Sequence, residues 1–114
     1  MITANTREYE YAAYEEGWRM KVERVGNLNY PDEARRNKLS GNLLLAVTIN
    51  VDGSLREVKV RRSSGHKLLD DAAVRIVKMA APYAPFPDTF RNKQDVLTIV
   101  RTWQFSSNSQ LSSR

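Results

Sequence analysis

The stretch Gly41-Asn-Leu-Leu-Leu-Ala-Val-Thr-Ile-Asn50-Val51-Asp52-Gly53-Ser54-Leu55-Arg-Glu-Val-Lys-Val60-Arg61-Arg62 decides the fold. Leu43, Leu45, Val47, Ile49 and Val51 recur with period two, the repeat of a β-strand. The alternate positions Leu44, Ala46 and Thr48 are also largely apolar. A strand apolar on both sides is expected at the centre of its sheet. Asp52-Gly53 is a strong hairpin signal, because glycine supplies the positive φ that the tight turn needs. Leu55–Arg62 then reads as a second strand. Val58 and Val60 point inward and Glu57, Lys59 and Arg61 outward, which suits an exposed, charge-guarded edge.

Working toward the N-terminus, Gly41 breaks the chain after a short helix predicted over 31–39. Pro31 fits the first position of such a helix. Asp32 and Glu33 in its first turn, with Arg35, Arg36 and Lys38 later, match the helix dipole. Before it, Tyr11, Tyr14, Trp18, Val22 and Val25 fall on one helical stripe. The spacing predicts a leading helix over Thr6–Val25, ended by Gly26. Working toward the C-terminus, Ser63-Ser64-Gly65 is a break. Leu69, Ala72, Ala73, Ile76, Val77 and Ala80 then predict an amphipathic helix over Lys67–Ala81. Pro82, Pro85 and Pro87 hold the next segment extended, since proline fixes φ and removes a donor. Asp95–Phe105, rich in β-branched and aromatic residues, is the last predicted strand.

The predicted class is α+β, ordered ααββαβ, with a three-stranded antiparallel sheet of order 2-1-3. Strand one is central and strand three, placed by a right-handed crossover, is an edge with free backbone groups. Residues 1–5 and Ser106 to Arg114 read as frayed termini. The expected organisation is 1–16 as a tail with the start of the leading helix, 17–106 as the domain, and 107–114 as a disordered tail.

Composition narrows the function. The 114 residues carry a net charge of +5, and no cysteine occurs. Disulfides, thiolate metal sites and cysteine nucleophiles are thereby excluded. The charge is uneven. Residues 1–33 hold seven acidic and four basic groups, net −3, and 34–114 hold fourteen basic and six acidic, net +8. His66 is the single histidine, and a general base would need a partner brought to it. Asp70 and Asp71 suit the start of the third helix. No phosphate loop or nucleophile elbow occurs, so no catalytic residue, metal ligand or cofactor is expected, and the chain does not read as an enzyme. Arg35, Arg36, Lys59, Arg61 and Arg62 could form a phosphate-binding patch. Without the aromatic signature of RNA-recognition domains, a basic nucleic-acid-binding α/β module is the weaker alternative, and no nucleic-acid partner is expected.

The order of these pieces resembles the C-terminal domain family of TonB proteins. Tyr30-Pro31, Ala34-Arg35-Arg36, Gly41, the apolar strand, Asp52-Gly53, Val58 with Val60, Ser63-Ser64-Gly65, Leu69-Asp70-Asp71-Ala72-Ala73 and the loop Pro82–Pro87 carry the likeness, over roughly 17–106. The chain departs from the family in having Ala84-Pro85-Phe86-Pro87 where many members show a tryptophan-aromatic-x-proline element. The resemblance implies a periplasmic energy-transducing domain. It would bind the TonB box, a short segment of an outer-membrane transporter, by β-strand addition. An N-terminal transmembrane helix outside this sequence would anchor it in the inner membrane and engage the ExbB–ExbD complex. The implied peptide-binding residues are Asn27, Leu28, Asn29, Tyr30 and Pro31, with Val96, Thr98, Val100, Thr102, Trp103 and Gln104 on the last strand. Pairing with a second copy through the same edge is the other use of a free strand. A TolA-like envelope-tethering domain is the alternative within this architecture; that type usually relies on a disulfide, which this chain cannot form.

Overall fold

The computed structural model describes residues 3–88 and 95–114, with side chains from Tyr9 onward. Its elements run α1 (Thr3–Leu28), α2 (Asp32–Arg36), β1 (Gly41–Asn50), β2 (Leu55–Arg62), α3 (Lys67–Ala80), β3 (Val96–Ser106) and β4 (Gln110–Ser113). The sheet is antiparallel in every described pair, with order β2-β1-β3-β4.

β1 is central, as its two-sided apolar sequence predicts. Leu43, Leu45, Val47 and Ile49 are buried against the helices, and Ala46 on the opposite side is buried as well. Val47 pairs with Val58 and Ile99, so the alternation of three strands is in register across the sheet. α3 covers this face with Leu69, Ala72, Ala73, Ile76, Val77 and Ala80. Three alanines on that face let the helix sit close to the strands.

The helix N-terminus is fixed by Asp70. Its carboxylate accepts from the Ser64 N–H at 2.9 Å, the Ser64 hydroxyl at 2.7 Å and the Ser63 hydroxyl. Asp70 therefore ties Ser63-Ser64-Gly65 to the helix rather than acting only through the dipole. Asp71 instead pairs with Lys67 one turn back. At the other end of the sheet, Gly53 adopts φ +92° in the hairpin turn. The Tyr83 N–H donates to its carbonyl at 2.7 Å, and the Phe86 N–H donates to Val51. The proline-rich segment is thus docked on the hairpin.

α1 lies over the β3–β4 side. Trp18 packs on Trp103 with ring centroids 6.4 Å apart and on Tyr83 at 6.3 Å, and Tyr14 meets Phe86 edge-on at 5.5 Å. The Tyr14–Phe86 and Trp18–Trp103 contacts are edge-on, a geometry aromatic pairs favour, and Trp18–Tyr83 is tilted.

Four expectations are corrected. α1 continues through Gly26 to Leu28 instead of stopping there. Gly26 serves close packing: a Cβ at this position would lie 2.3 Å from Leu111 Cδ2. α2 ends at Arg36, with Lys38 in the left-handed region at φ 52°. The third correction matters most. The tail after Ser106 turns back and adds a fourth strand to the sheet, with Gln110 opposite Ser106 and Ser113 opposite Trp103. Of the start expected to fray, Met1 and Ile2 lie outside the described residues, and Thr3 already belongs to α1.

Candidate functional site: a half-covered strand edge

β4 changes what β3 offers to a partner. In an antiparallel ladder, alternate residues direct both backbone groups to the same neighbour. Thr102 exchanges both of its backbone hydrogen bonds with Arg114, at 2.9 and 2.7 Å. The outward-facing set on β3 therefore includes Thr98, Val100, Thr102, Gln104 and Ser106. β4 occupies the last three of these. Beside Thr98 and Val100 no described strand lies, although β1 pairs with β3 along its other side throughout. These two residues leave two N–H and two C=O groups facing outward.

The uncovered stretch is polar and apolar by turns. Val100 is 43% exposed. Thr98 is exposed, and its hydroxyl meets that of Thr48 at 3.0 Å across the open face of the sheet. Arg101, on the helix side, reaches Glu15 of α1 at 3.3 Å.

The outer side of β4, by contrast, is closed by α1. The Asn27 side chain makes a two-point clasp on Leu111: its Nδ2–H donates to the carbonyl at 3.1 Å, and its Oδ1 accepts from the N–H at 2.9 Å. Glu23 accepts from the Ser113 N–H at 2.7 Å and is braced by Arg19. A carboxamide matches one peptide unit in donor and acceptor, so Asn27 takes the place of a fifth strand.

The residues expected at the site separate accordingly. Thr98 and Val100 stand on the open edge, and Val96 begins the same strand, partly buried. Thr102 and Gln104 are covered by β4. Trp103 is fully buried and cannot meet a peptide in this arrangement. Tyr30 is also buried; it packs edge-on against Phe105 at 5.7 Å, and its hydroxyl donates to Ser106 at 3.3 Å. Burial pushes the Tyr30 hydroxyl pKa up, with Arg35 opposing. Pro31 is buried as the residue preceding α2. Asn29 is exposed and donates its amide N–H back to Val25, Asn27 holds β4, and Leu28 is 78% exposed. Sequence reasoning missed Glu23, Arg101 and β4 itself; helical spacing puts Glu15 and Glu16 within reach of Arg19, and in the structure Arg19 meets Glu16 and Glu23 while Glu15 meets Arg101.

His66 is exposed at the N-cap of α3, where its carbonyl accepts from Leu69 and Asp70 and its N–H donates to Ser64. Among the described residues, no group of His, Cys, Asp or Glu could hold a metal ion. Fold and edge together define a small α+β domain whose antiparallel sheet, among the described residues, is left partly uncovered along β3.

Comparison with known proteins narrows the class further. The family model described as Gram-negative bacterial TonB protein C-terminal matches residues 26–107. This chain belongs to that family, a family of energy-transducing interaction domains. Protein TonB of Helicobacter pylori strain J99 is 39% identical over 59 residues, 52% of this chain and 21% of that protein. Protein TonB of Haemophilus influenzae is 29% identical over 93 residues, 82% of this chain and 34% of that protein. The chain thus spans between a fifth and about a third of the length of these relatives. Among solved structures, the solution structure of the Helicobacter pylori TonB C-terminal domain matches with a TM-score of 0.59 at 27% identity, covering 83% of this chain and 89% of that one. A shorter piece of the same domain matches with a TM-score of 0.55 at 28% identity, covering 71% and 82%.

Proposed function

We propose that this domain works in the periplasm as the receiving end of a TonB-type transducer, binding the TonB box of an outer-membrane transporter by β-strand addition beside β3. The rest of such a protein would anchor it in the inner membrane and engage ExbB–ExbD, so that proton-motive force reaches the transporter through this contact. The observation that carries the reading is the bare edge at Thr98 and Val100, the one stretch of β3 whose outward backbone groups have no described partner strand. Family membership supports the kind of partner.

Magnitudes set the character of the contact. Four backbone hydrogen bonds, at roughly 0.5–1.5 kcal/mol each, contribute about 2–6 kcal/mol. Ordering a flexible segment costs about 2–5 kcal/mol. Pairing over the bare stretch alone is close to balanced, so binding is weak and exchangeable unless side chains add contacts or β4 yields more edge. A module that must release and rebind its partner needs that property.

Proline at Val100 tests the site. The Val100 N–H faces outward, so Val100→Pro removes a peptide-facing donor without taking a hydrogen bond from the β1–β3 ladder. NMR titration with a TonB-box peptide should lose the amide shifts of 97–101 in a variant that keeps its native spectrum elsewhere. Unchanged affinity in a folded Val100→Pro domain would remove β3 as the receiving strand.

A further inference from the structure

α1 carries Glu15, Arg19, Glu23 and Asn27 at successive four-residue steps, which places them on one line along the helix. One half of that line serves β4: Asn27 holds Leu111, and Glu23 holds Ser113. The other half continues past the end of β4 and comes level with the bare stretch of β3, where Glu15 meets Arg101. Arg101 is incompletely satisfied there. Its Nε–H is buried and has no acceptor among the described residues, while Nη1 reaches Glu15 at 3.3 Å, longer than a charge-assisted bond favours. A buried donor on a charged group without an acceptor is costly, and a turn of the partly exposed Arg101 side chain that brings it to an oxygen of an incoming strand is correspondingly favoured.

We infer that α1 is the second wall of the peptide slot, and that Arg101 and Glu15 hold the incoming strand on the side facing away from the sheet. This rests on the strand-addition reading and adds residues to it. A peptide lying in line with β4 pairs with Thr98 and Val100 on one side. On the other it gives Arg101 Nε an oxygen acceptor, and it donates an N–H to Glu15 as Ser113 donates to Glu23. The Arg101–Glu15 pair is itself neutral. A second carboxylate would meet that of Glu15, so the chemistry selects an uncharged acceptor, the backbone carbonyl of an extended peptide or a side-chain amide or hydroxyl.

The probe is a capped seven-residue peptide of alternating threonine and valine, titrated into the whole domain. Its binding should shift the backbone amides of Thr98 and Val100. It should also move the Arg101 Nε–H resonance and slow its exchange with water, a response that a purely structural arginine would not show. Arg101→Lys keeps the charge and lacks the Nε–H, so it should bind roughly 10- to 100-fold more weakly, the size expected of one hydrogen bond to a charged group. Glu15→Gln, at a half-buried helix position and checked for a native spectrum, provides a second variant; it should also weaken binding. If the peptide shifts Thr98 and Val100 while Arg101 Nε stays unmoved and both variants bind like the parent, α1 is no wall of the slot, though strand addition stands. If Thr98 and Val100 themselves do not respond, the strand-addition reading fails first.

Discussion

At the residue scale, single polar side chains do work that a chain of this size would otherwise give to more secondary structure. Asn27 substitutes for a strand, and Asp70 substitutes for a loop's own hydrogen bonds. Asp70 makes a prediction with a sign. Partial burial pushes its pKa up, but hydrogen bonds from Ser63 and from the Ser64 backbone and hydroxyl outweigh this and hold it below the ordinary carboxylate value. A carboxyl depressed in the folded state contributes stability above its unfolded pKa of about 3.9, and that contribution disappears as pH falls through the lower folded value. Asp70→Asn should therefore be less stable than the parent at pH 7, and the gap should close below about pH 4. Urea unfolding at several pH values measures it; a gap of constant size from pH 7 to pH 3 would show that the carboxylate charge is not what holds the turn. The tyrosines belong to another range: burial pushes Tyr14, whose hydroxyl donates to the Ala84 carbonyl, up to about 12.

At the element scale, the hairpin and the proline-rich segment act as one unit. Gly53 is needed twice, for its positive φ and for space, since a Cβ there would lie 2.0 Å from the Tyr83 carbonyl oxygen. Gly53→Ala should cost at least about 1–3 kcal/mol by strain and overpacking. It should also weaken the Trp18–Tyr83 contact, seen as a change in near-UV circular dichroism; a variant with parental stability and spectrum would mean that the loop is not held by the turn. Asp52-Gly53 was legible in the sequence because turn chemistry is local. So were β1, β2 and α3, whose periodicities are long enough to stand alone. The centrality of β1 was legible too, because it follows from apolar residues on both sides of one strand. β4 was not. Its four residues hold one apolar side chain, Leu111, between serines and a glutamine, and its order comes from Asn27 and Glu23 far away in sequence. The same long-range dependence hid the state of the edge. Val96–Phe105 reads as a strand with a free side, but which part stays free depends on where a distant tail docks. Tyr30 and Trp103 show the converse: a place in the implied peptide-binding set does not make a side chain accessible, and both are packed in the core.

At the scale of the whole molecule, β4 occupies part of the edge that a partner strand would use. Its removal should therefore separate stability from binding. Deleting residues 107–114 removes the buried Leu111, worth about 2–3 kcal/mol of apolar burial, and empties the space it fills beside Gly26. It also frees the outward backbone groups of Thr102, Gln104 and Ser106, which extends the receiving edge beyond Thr98 and Val100. The truncated domain should unfold at lower denaturant concentration yet bind a long strand-forming peptide more tightly, by about tenfold for each 1.4 kcal/mol of added pairing. A short peptide confined to the bare stretch should bind both forms alike. Calorimetric titration with peptides of two lengths, alongside urea unfolding, reads these effects independently. If the long peptide gains nothing from truncation, incoming strands stop where β4 ends, and the tail marks the boundary of the site rather than a reserve of edge. If truncation weakens both peptides while the fold survives, β4 helps hold β3 in its receiving shape, and the clasp made by Asn27 on Leu111 would belong to the binding apparatus itself.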